Sequence, residues 1–258
     1  MGVRINTNVE ALNAQRNLGL TAVAFGKSVE KLSSGLRINR AADDAGGLGI
    51  SETLRSQVKG LNQAMRNAQD GISLIQTGEG ALNEVHVMLQ RIRELAVQYA
   101  NGTNDSAAKD NIAAEVTALQ ASIASIGTNT KFNGVSLLVA GSLSLQIGAN
   151  AGQTLIVTTT LLSTTLAVVT SISTVDTAIA AVSTQRGAFG AAQNSLEHTV
   201  NSLAVAVENF AASESRIRDL DVASEMVEFT KTQILQQAGV AILAQANQAP
   251  QSILSLLR

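Results

Sequence analysis

From Ile172 onward apolar side chains recur in alternating steps of three and four. Ile172, Val175, Ile179, Val182, Phe189, Leu196, Val200, Leu203, Val207, Phe210 and Ile217 share one phase, with Arg186, Gln193 and Glu214 as polar members. This is an a/d heptad seam sustained for about six heptads, and it predicts one long helix with a helical partner. A polar residue at such a position lowers stability and selects one alignment, so Arg186, Gln193 and Glu214 are expected to control register, with Arg186 and Glu79 helping to fix helix alignment.

A second seam runs Leu54, Val58, Leu61, Met65, Ala68, Ile72, Ile75 and resumes as Leu82, Val85, Leu89, Ile92, Ala96, Tyr99. The break at Thr77-Gly78-Glu79-Gly80 reads as a phase slip inside one helix, weakened there by two glycines at roughly 1 kcal/mol each. A shorter seam, Ile112, Val116, Leu119, Ile123 and Ile126, has Asn104 or Asp105 upstream as its N-cap.

The N-terminal arm carries Ala11, Gln15, Leu18, Ala22, Phe25, Val29, Leu32 and Leu36 in the same 3/4 steps, and Gly35 stops it. Asp43 or Asp44 is placed to cap the next helix. The C-terminal arm carries Met226, Val227, Ile234, Leu235, Ala238, Ala241 and Ile242, with Asp219 or Asp221 as its cap and Pro250 expected to disrupt its last turns. Between Ile126 and Ile172 the period changes to two. Leu143, Leu145 and Ile147 alternate with polar residues, 149–153 supplies turn residues and 154–160 is rich in β-branched residues, so a β-hairpin is expected, preceded by a turn at Asn133-Gly134.

The pattern therefore predicts a mainly α chain: an elongated antiparallel coiled-coil or helical-bundle rod with one small β-hairpin element. A helix over 45–100 would be about 80 Å long, too long for a globule of this mass. Composition supports long helices. One proline, Pro250, occurs in 258 residues, and aromatic residues are 2% of the chain. Charged residues are 15%, against a typical ~25%. The net charge of −2 gives no electrostatic footprint for nucleic acid. No stretch reads as a membrane span, since Ser and Thr interrupt the nearest, 155–172, and the first residues do not read as a cleaved signal.

The absence of cysteine excludes disulfides, thiolate metal sites and cysteine nucleophiles. His86 and His198 are far apart and outside any H-E-x-x-H, so no metal site is expected. Gly26-Lys27-Ser28 resembles the end of a P-loop, but the upstream glycine is missing and the triplet lies in a heptad seam. Asp219-Leu220-Asp221 lacks the glycine and distal Glu of a calcium loop, and capping is the expected role. Asn101 and Asn104 open N-x-S/T triplets, a pattern common by chance. No set of nucleophile, base and metal ligand converges, so no enzyme activity and no cofactor are expected.

Both arms carry apolar residues off their main seams, among them Val9, Leu12, Leu20 and Val23, and no charged residue lies between Lys231 and Arg258. A solvated helix normally has a charged outer face. An uncharged one suits burial against further copies of the same chain, in an open helical array. Leu18, Phe25, Val29, Leu32, Leu36, Ile234, Leu235, Ala238 and Ile242 are the candidate self-assembly seams.

The chain also resembles bacterial flagellins. The resemblance is carried by INTN at 5–8, LSSGLRIN at 32–39, ADDA at 42–45, NAQDGIS at 67–73, EGALNE at 79–84, LQRIRELAVQ at 89–98 and FNGV at 132–135. QILQQAG at 233–239, LAQANQ at 243–248 and LSLLR at 254–258 complete it. It implies a structural subunit that polymerises into the extracellular flagellar filament for motility, exported unfolded through the flagellar type III system. The implied partners are further copies of itself, the filament cap, the hook–filament junction protein and a flagellin export chaperone. It also implies two domains: 1–43 with 220–258 as a terminal coiled-coil inner core, and 44–219 as a helical domain with the hairpin around 132–160. Little room is left between Thr158 and Thr174 for an outer variable domain. The segment 89–98 is similar to that recognised by the vertebrate innate flagellin receptor, which would make Arg91, Leu95 and Glu115 possible contacts. A hook–filament junction protein shares the end motifs, but the near-complete 243–258 terminus favours a flagellin. An adhesin would need an elaborated exposed domain.

Overall fold

Asn8 and Gly35 bracket the first helix, α1 (Val9–Ser34). The Asn8 carboxamide oxygen accepts from the Ala11 amide at 3.1 Å, and Gly35 closes the last turn at φ +71°, its N–H donating to the Lys31 carbonyl. In this computed structural model, which describes residues 7–159 and 171–256 and side chains as far as 248, four more helices follow. They are α2 (Ala45–Ala100), α3 (Ser106–Asn129), α4 (Ile172–Arg218) and α5 (Val222–Leu256). Between α3 and α4 lie β1 (Lys131–Phe132), β2 (Val135–Ser136), β3 (Gly141–Gln146) and β4 (Thr154–Thr159). Ile5, Asn6, Leu257, Arg258 and most of the interval read as lacking an outer domain, 160–170, lie outside the described residues.

The caps follow the sequence signals closely. Asp44 accepts from the Gly47 amide at 2.8 Å, Asp105 from Ala108 at 2.8 Å, and Asp221 from Ala223 and Ser224 at 3.0 and 3.2 Å. Asp43 instead ties the preceding link, accepting from the Asn39 and Arg40 amides. Those bonds to its charged form hold its carboxyl below the usual carboxylate range, the Arg40 amide contributing most.

The chain divides into two compact units, Met1–Arg55 with Phe210–Arg258, and Ser56–Asn209. The second holds one contiguous apolar core. Ile75, Leu82, Val85, Leu89 and Ile92 of α2 meet Ile112, Val116 and Ile123 of α3 and Val175, Val182, Phe189 and Leu196 of α4, all buried. The predicted α4 seam is thus the core face of that helix.

The predicted phase slip in α2 is absent. Leu61, Ala64, Ala68, Gly71, Ile75, Gly78, Leu82, Val85, Leu89, Ile92 and Ala96 are all buried and step by three and four without interruption. Two members of the seam are glycines, which a search for apolar side chains passes over. They are also close-approach points. A Cβ at Gly71 would stand 2.6 Å from Leu145 Cδ1 and 3.2 Å from Leu196 Cδ1, and one at Gly78 would stand 2.8 Å from Phe189 Cε2. At Gly60 the nearest atom is the Ala149 Cβ, at 2.9 Å.

Two antiparallel strand pairs form where one hairpin was expected. In the first, Phe132 pairs with Val135 around Asn133 (φ +48°) and Gly134 (φ +82°), a two-residue turn needing positive φ at both positions, which Asn-Gly tolerates. In the second, β3 and β4 pair over six residues from Gly141↔Thr159 to Gln146↔Thr154. This hairpin is anchored on α2 by Asn67 Nδ2 donating to the Gln146 carbonyl at 3.1 Å, and on α4 by Gln185 Nε2 donating to the Thr158 carbonyl at 3.0 Å. Val157 is buried in the shared core.

In the other unit, α1 and α5 run antiparallel, their Cα atoms repeatedly within 8 Å. Lys31 faces Glu225 at 3.7 Å, Phe25 stacks on Phe229 at 5.1 Å between centroids, Leu18 lies against Gly239, and Asn8 reaches Ala246. The link after α1 is stitched to the end of α4, with Arg37 N–H donating to the Arg218 carbonyl at 2.7 Å and Leu220 N–H to the Gly35 carbonyl at 3.1 Å. The predicted disruption at Pro250 does not occur, because α5 continues through it to Leu256.

Candidate assembly surface

The α1·α5 pair has almost no core. Its buried side chains are Ser28, Thr232 and Ala246, and none of the two helices' large apolar residues is buried among the described residues. The face that α5 turns toward α1 is Glu225, Phe229, Thr232, Gln236, Gly239, Leu243 and Ala246, and that of α1 is Ala11, Ala14, Leu18, Thr21, Phe25, Ser28 and Leu32. Small residues at these positions explain the close backbone approach.

The candidate self-assembly residues fall on two different faces of the pair. Leu18, Phe25 and Leu32 lie at the α1·α5 contact, and Leu36 is half-buried in its bridge to Asp219. Val29, Ile234, Leu235, Ala238 and Ile242 are exposed instead. Apart from Phe229 and Leu243, the large apolar residues of α5 are not the ones it uses against α1. Hydrophobicity marks where burial is favourable, and here intramolecular pairing follows the small residues that permit close packing.

The exposed remainder is large. Val9, Leu12, Leu20, Val23 and Val29 on α1, and Val222, Met226, Val227, Ile234, Leu235, Val240 and Ile242 on α5, are 42–70% exposed. Soluble monomers seldom present so much contiguous apolar surface, and such patches mark sites of association. No charge interrupts α5 beyond Lys231 within the described residues, so this face would desolvate cheaply.

The remaining candidates are local. Arg91 and Glu115 are exposed and paired at 3.0 Å across α2 and α3, with Glu94 bonding the same guanidinium. These carboxylates hold the Arg91 pKa above its ordinary value, the hydrogen bond that Arg91 donates to Glu115 contributing most. Leu95, which was grouped with them, is 2% exposed and sits in the core, because it faces inward beside Ile92. Arg186 meets Glu79 at 3.5 Å between α4 and α2. Gln193 bonds Glu197 on its own helix at 2.9 Å. Ser28 of the P-loop-like triplet is buried in mid-α1, where no phosphate cradle exists. Among the described residues no group of three His, Asp or Glu could hold a metal ion, and no helix is long and apolar enough to cross a membrane.

Comparison with known proteins agrees with the motifs. Residues 5–142 match the family model for the bacterial flagellin N-terminal helical region, and residues 172–257 that for the C-terminal helical region. A flagellin of Halalkalibacterium halodurans is 50% identical, covering 98% of this chain and 99% of the relative. The flagellar filament 33 kDa core protein of Treponema phagedenis is 48% identical over 98% of this chain and 99% of its own. The flagellin of Bacillus subtilis is 46% identical over 99% of this chain and all of its own. The crystal structure of Bacillus cereus flagellin superposes with a TM-score of 0.50 at 32% identity, covering 54% of this chain and 88% of that one. The chain belongs to the bacterial flagellin family, the structural subunits of the extracellular flagellar filament.

Proposed function

We propose that the exposed apolar faces of α1 and α5 are the surfaces on which copies of this chain pack in the filament, with residues 1–43 and 220–258 forming its inner layer and 44–219 the next. The observation that carries this is the mismatch in α5. Ile234, Leu235 and Ile242 are exposed, while the contact with α1 is made by Phe229, Thr232, Gly239, Leu243 and Ala246, mostly smaller or more polar residues. Neighbouring copies would bury the apolar side, adding about 1–2 kcal/mol for each large side chain, since roughly half of each is already covered. The role is mechanical and involves no catalysis.

Ile234→Asp tests the surface, because it places a charge where a neighbour should sit, at a residue that is 59% exposed and off the face toward α1. The variant is expected to remain helical and monomeric, and to fail to elongate filament seeds in sedimentation and electron microscopy. Ile234→Val should assemble normally. Elongation by Ile234→Asp at the wild-type critical concentration would remove the surface from the account.

Export in an unfolded state through the flagellar type III system, and dealings with a cap, a hook–filament junction protein and an export chaperone, extend this reading. They are supported by the family and by the small core of the terminal unit, which leaves little to unfold. Recognition by the innate flagellin receptor is a separate reading. It is favoured by the exposed Arg91–Glu115 pair, with Leu95 acting from beneath by packing α2. A reporter-cell response to depolymerised protein, lost in Arg91→Ala, would support it, and no response at saturating dose would refute it.

A further inference from the structure

α5 contains a proline well inside its span, and a proline has no backbone N–H. In an α-helix the amide of residue i bonds the carbonyl of residue i−4, so Pro250 leaves the Ala246 carbonyl without that donor. Ala246 is 9% exposed and lies on the face toward α1, where water gives little help. The Asn8 side chain supplies the missing bond, its Nδ2 donating to the Ala246 carbonyl at 2.7 Å. The other end of the same carboxamide caps α1 through the Ala11 amide at 3.1 Å.

We propose that Asn8 and Pro250 act together as a register lock, in which the proline singles out one carbonyl of α5 as a free acceptor and Asn8 engages it in only one alignment of the two helices. Elsewhere in the helix interior each carbonyl is taken by its own helix, so Asn8 has no equivalent acceptor after a slip of one heptad. Such a device is useful on this pair because its seam is otherwise tolerant: Ala11, Ala14, Thr21 and Thr232 would slide past similar residues at modest cost. The polar atoms at the far end, with Phe25 on Phe229 nearer the link, fix where Leu12 and Leu20 stand relative to Leu235 and Ile242. Asn8 is thereby a positioning residue for assembly. That last consequence rests on the apolar faces being the packing surface, whereas the lock itself does not.

A double-mutant cycle on the full-length chain tests it. Asn8→Ser keeps a side-chain oxygen for capping α1 but is too short to reach Ala246, and Pro250→Ala restores the helix's own donor. Critical concentration for filament elongation and filament melting are measured for the four proteins. Asn8→Ser alone should raise the critical concentration by about tenfold, the scale of one buried carbonyl left unpaired. In the Pro250→Ala background the same change should have less than about a threefold effect. Equal impairment in both backgrounds, or none in either, overturns the lock. Should Asn8→Ser prevent assembly altogether, recovery of filaments in the double variant carries the proposal and failure to recover sinks it. The Ile234→Asp result bears on the packing surface alone, so failure of that reading stays distinct from failure of the lock.

Discussion

Gly78 and Gly80 lie two residues apart in α2, and the structure assigns opposite signs to the same substitution at them. At Gly80 a Cβ would meet nothing within 4 Å, so Gly80→Ala should gain about 0.5–1 kcal/mol of helix propensity. At Gly78 the new Cβ would lie 2.8 Å from Phe189 Cε2 and 3.5 Å from Cζ. Carbon atoms prefer about 3.5–4.0 Å, so the ring must move by nearly an ångström. Phe189 is 1% exposed in the middle of the core and has nowhere to go without disturbing its neighbours. Overpacking of this kind costs about 1–3 kcal/mol, which offsets or exceeds the propensity gain. Gly78→Ala should therefore be less stable than Gly80→Ala by about 1–3 kcal/mol, or roughly 2–10 °C in melting temperature for a domain of this size. The assay is thermal unfolding of the dissociated chain followed by tyrosine fluorescence. Tyr99 is the single tyrosine and lies in the Ser56–Asn209 unit, so the signal reports that unit. Phe189→Leu should recover part of the loss at Gly78 and none at Gly80. If the two alanine variants gain stability equally, the reading of Gly78 as a seam position is wrong.

Two further outcomes are expected. Asp105→Ala removes the oxygen that accepts from the Ala108 amide and should lower stability by about 1 kcal/mol, seen as earlier unfolding of the same unit. Asp43 has a depressed carboxyl pKa in the folded chain, so its contribution is complete above the ordinary carboxylate value of about 3.9 and is lost as pH falls through the lower folded value. The protection of the Asn39 and Arg40 amides that donate to it should then be lost, their exchange rising toward the intrinsic rate at low pH as measured by hydrogen exchange, and this pH-dependent change should be absent in Asp43→Asn.

Legibility in the sequence depended on what each signal encodes. Gly35, Asp105, Asp221 and Asn133-Gly134 act through their own backbone and nearest amides, so a single residue type announces the outcome. The α4 seam was legible because each inward position carries bulk. The α2 seam was misread where its inward positions are Gly71 and Gly78, since the bulk filling them belongs to Leu145, Leu196 and Phe189, far off in the chain. Which residues of α5 face α1 was hard to read for a related reason. Ile234 and Ile242 declare a surface that must be buried, but not by what, and between Phe229 and Leu243 the residues that pair with α1 include Thr232 and Gly239, with Ala246 beyond, which carry little hydrophobic signal. The helix through Pro250 was illegible because its compensation comes from Asn8, at the other end of the chain.

The central claim is that the α1·α5 pair completes its burial only between copies, and amide hydrogen exchange tests it most directly. Dissociated chains and assembled filaments are labelled side by side. The account predicts that amides of Val9–Ser34 and Val222–Leu256 exchange orders of magnitude more slowly in the filament, whereas Ile75, Leu82 and Leu89 are protected in both states. Equal protection of the two terminal helices before and after assembly would contradict it.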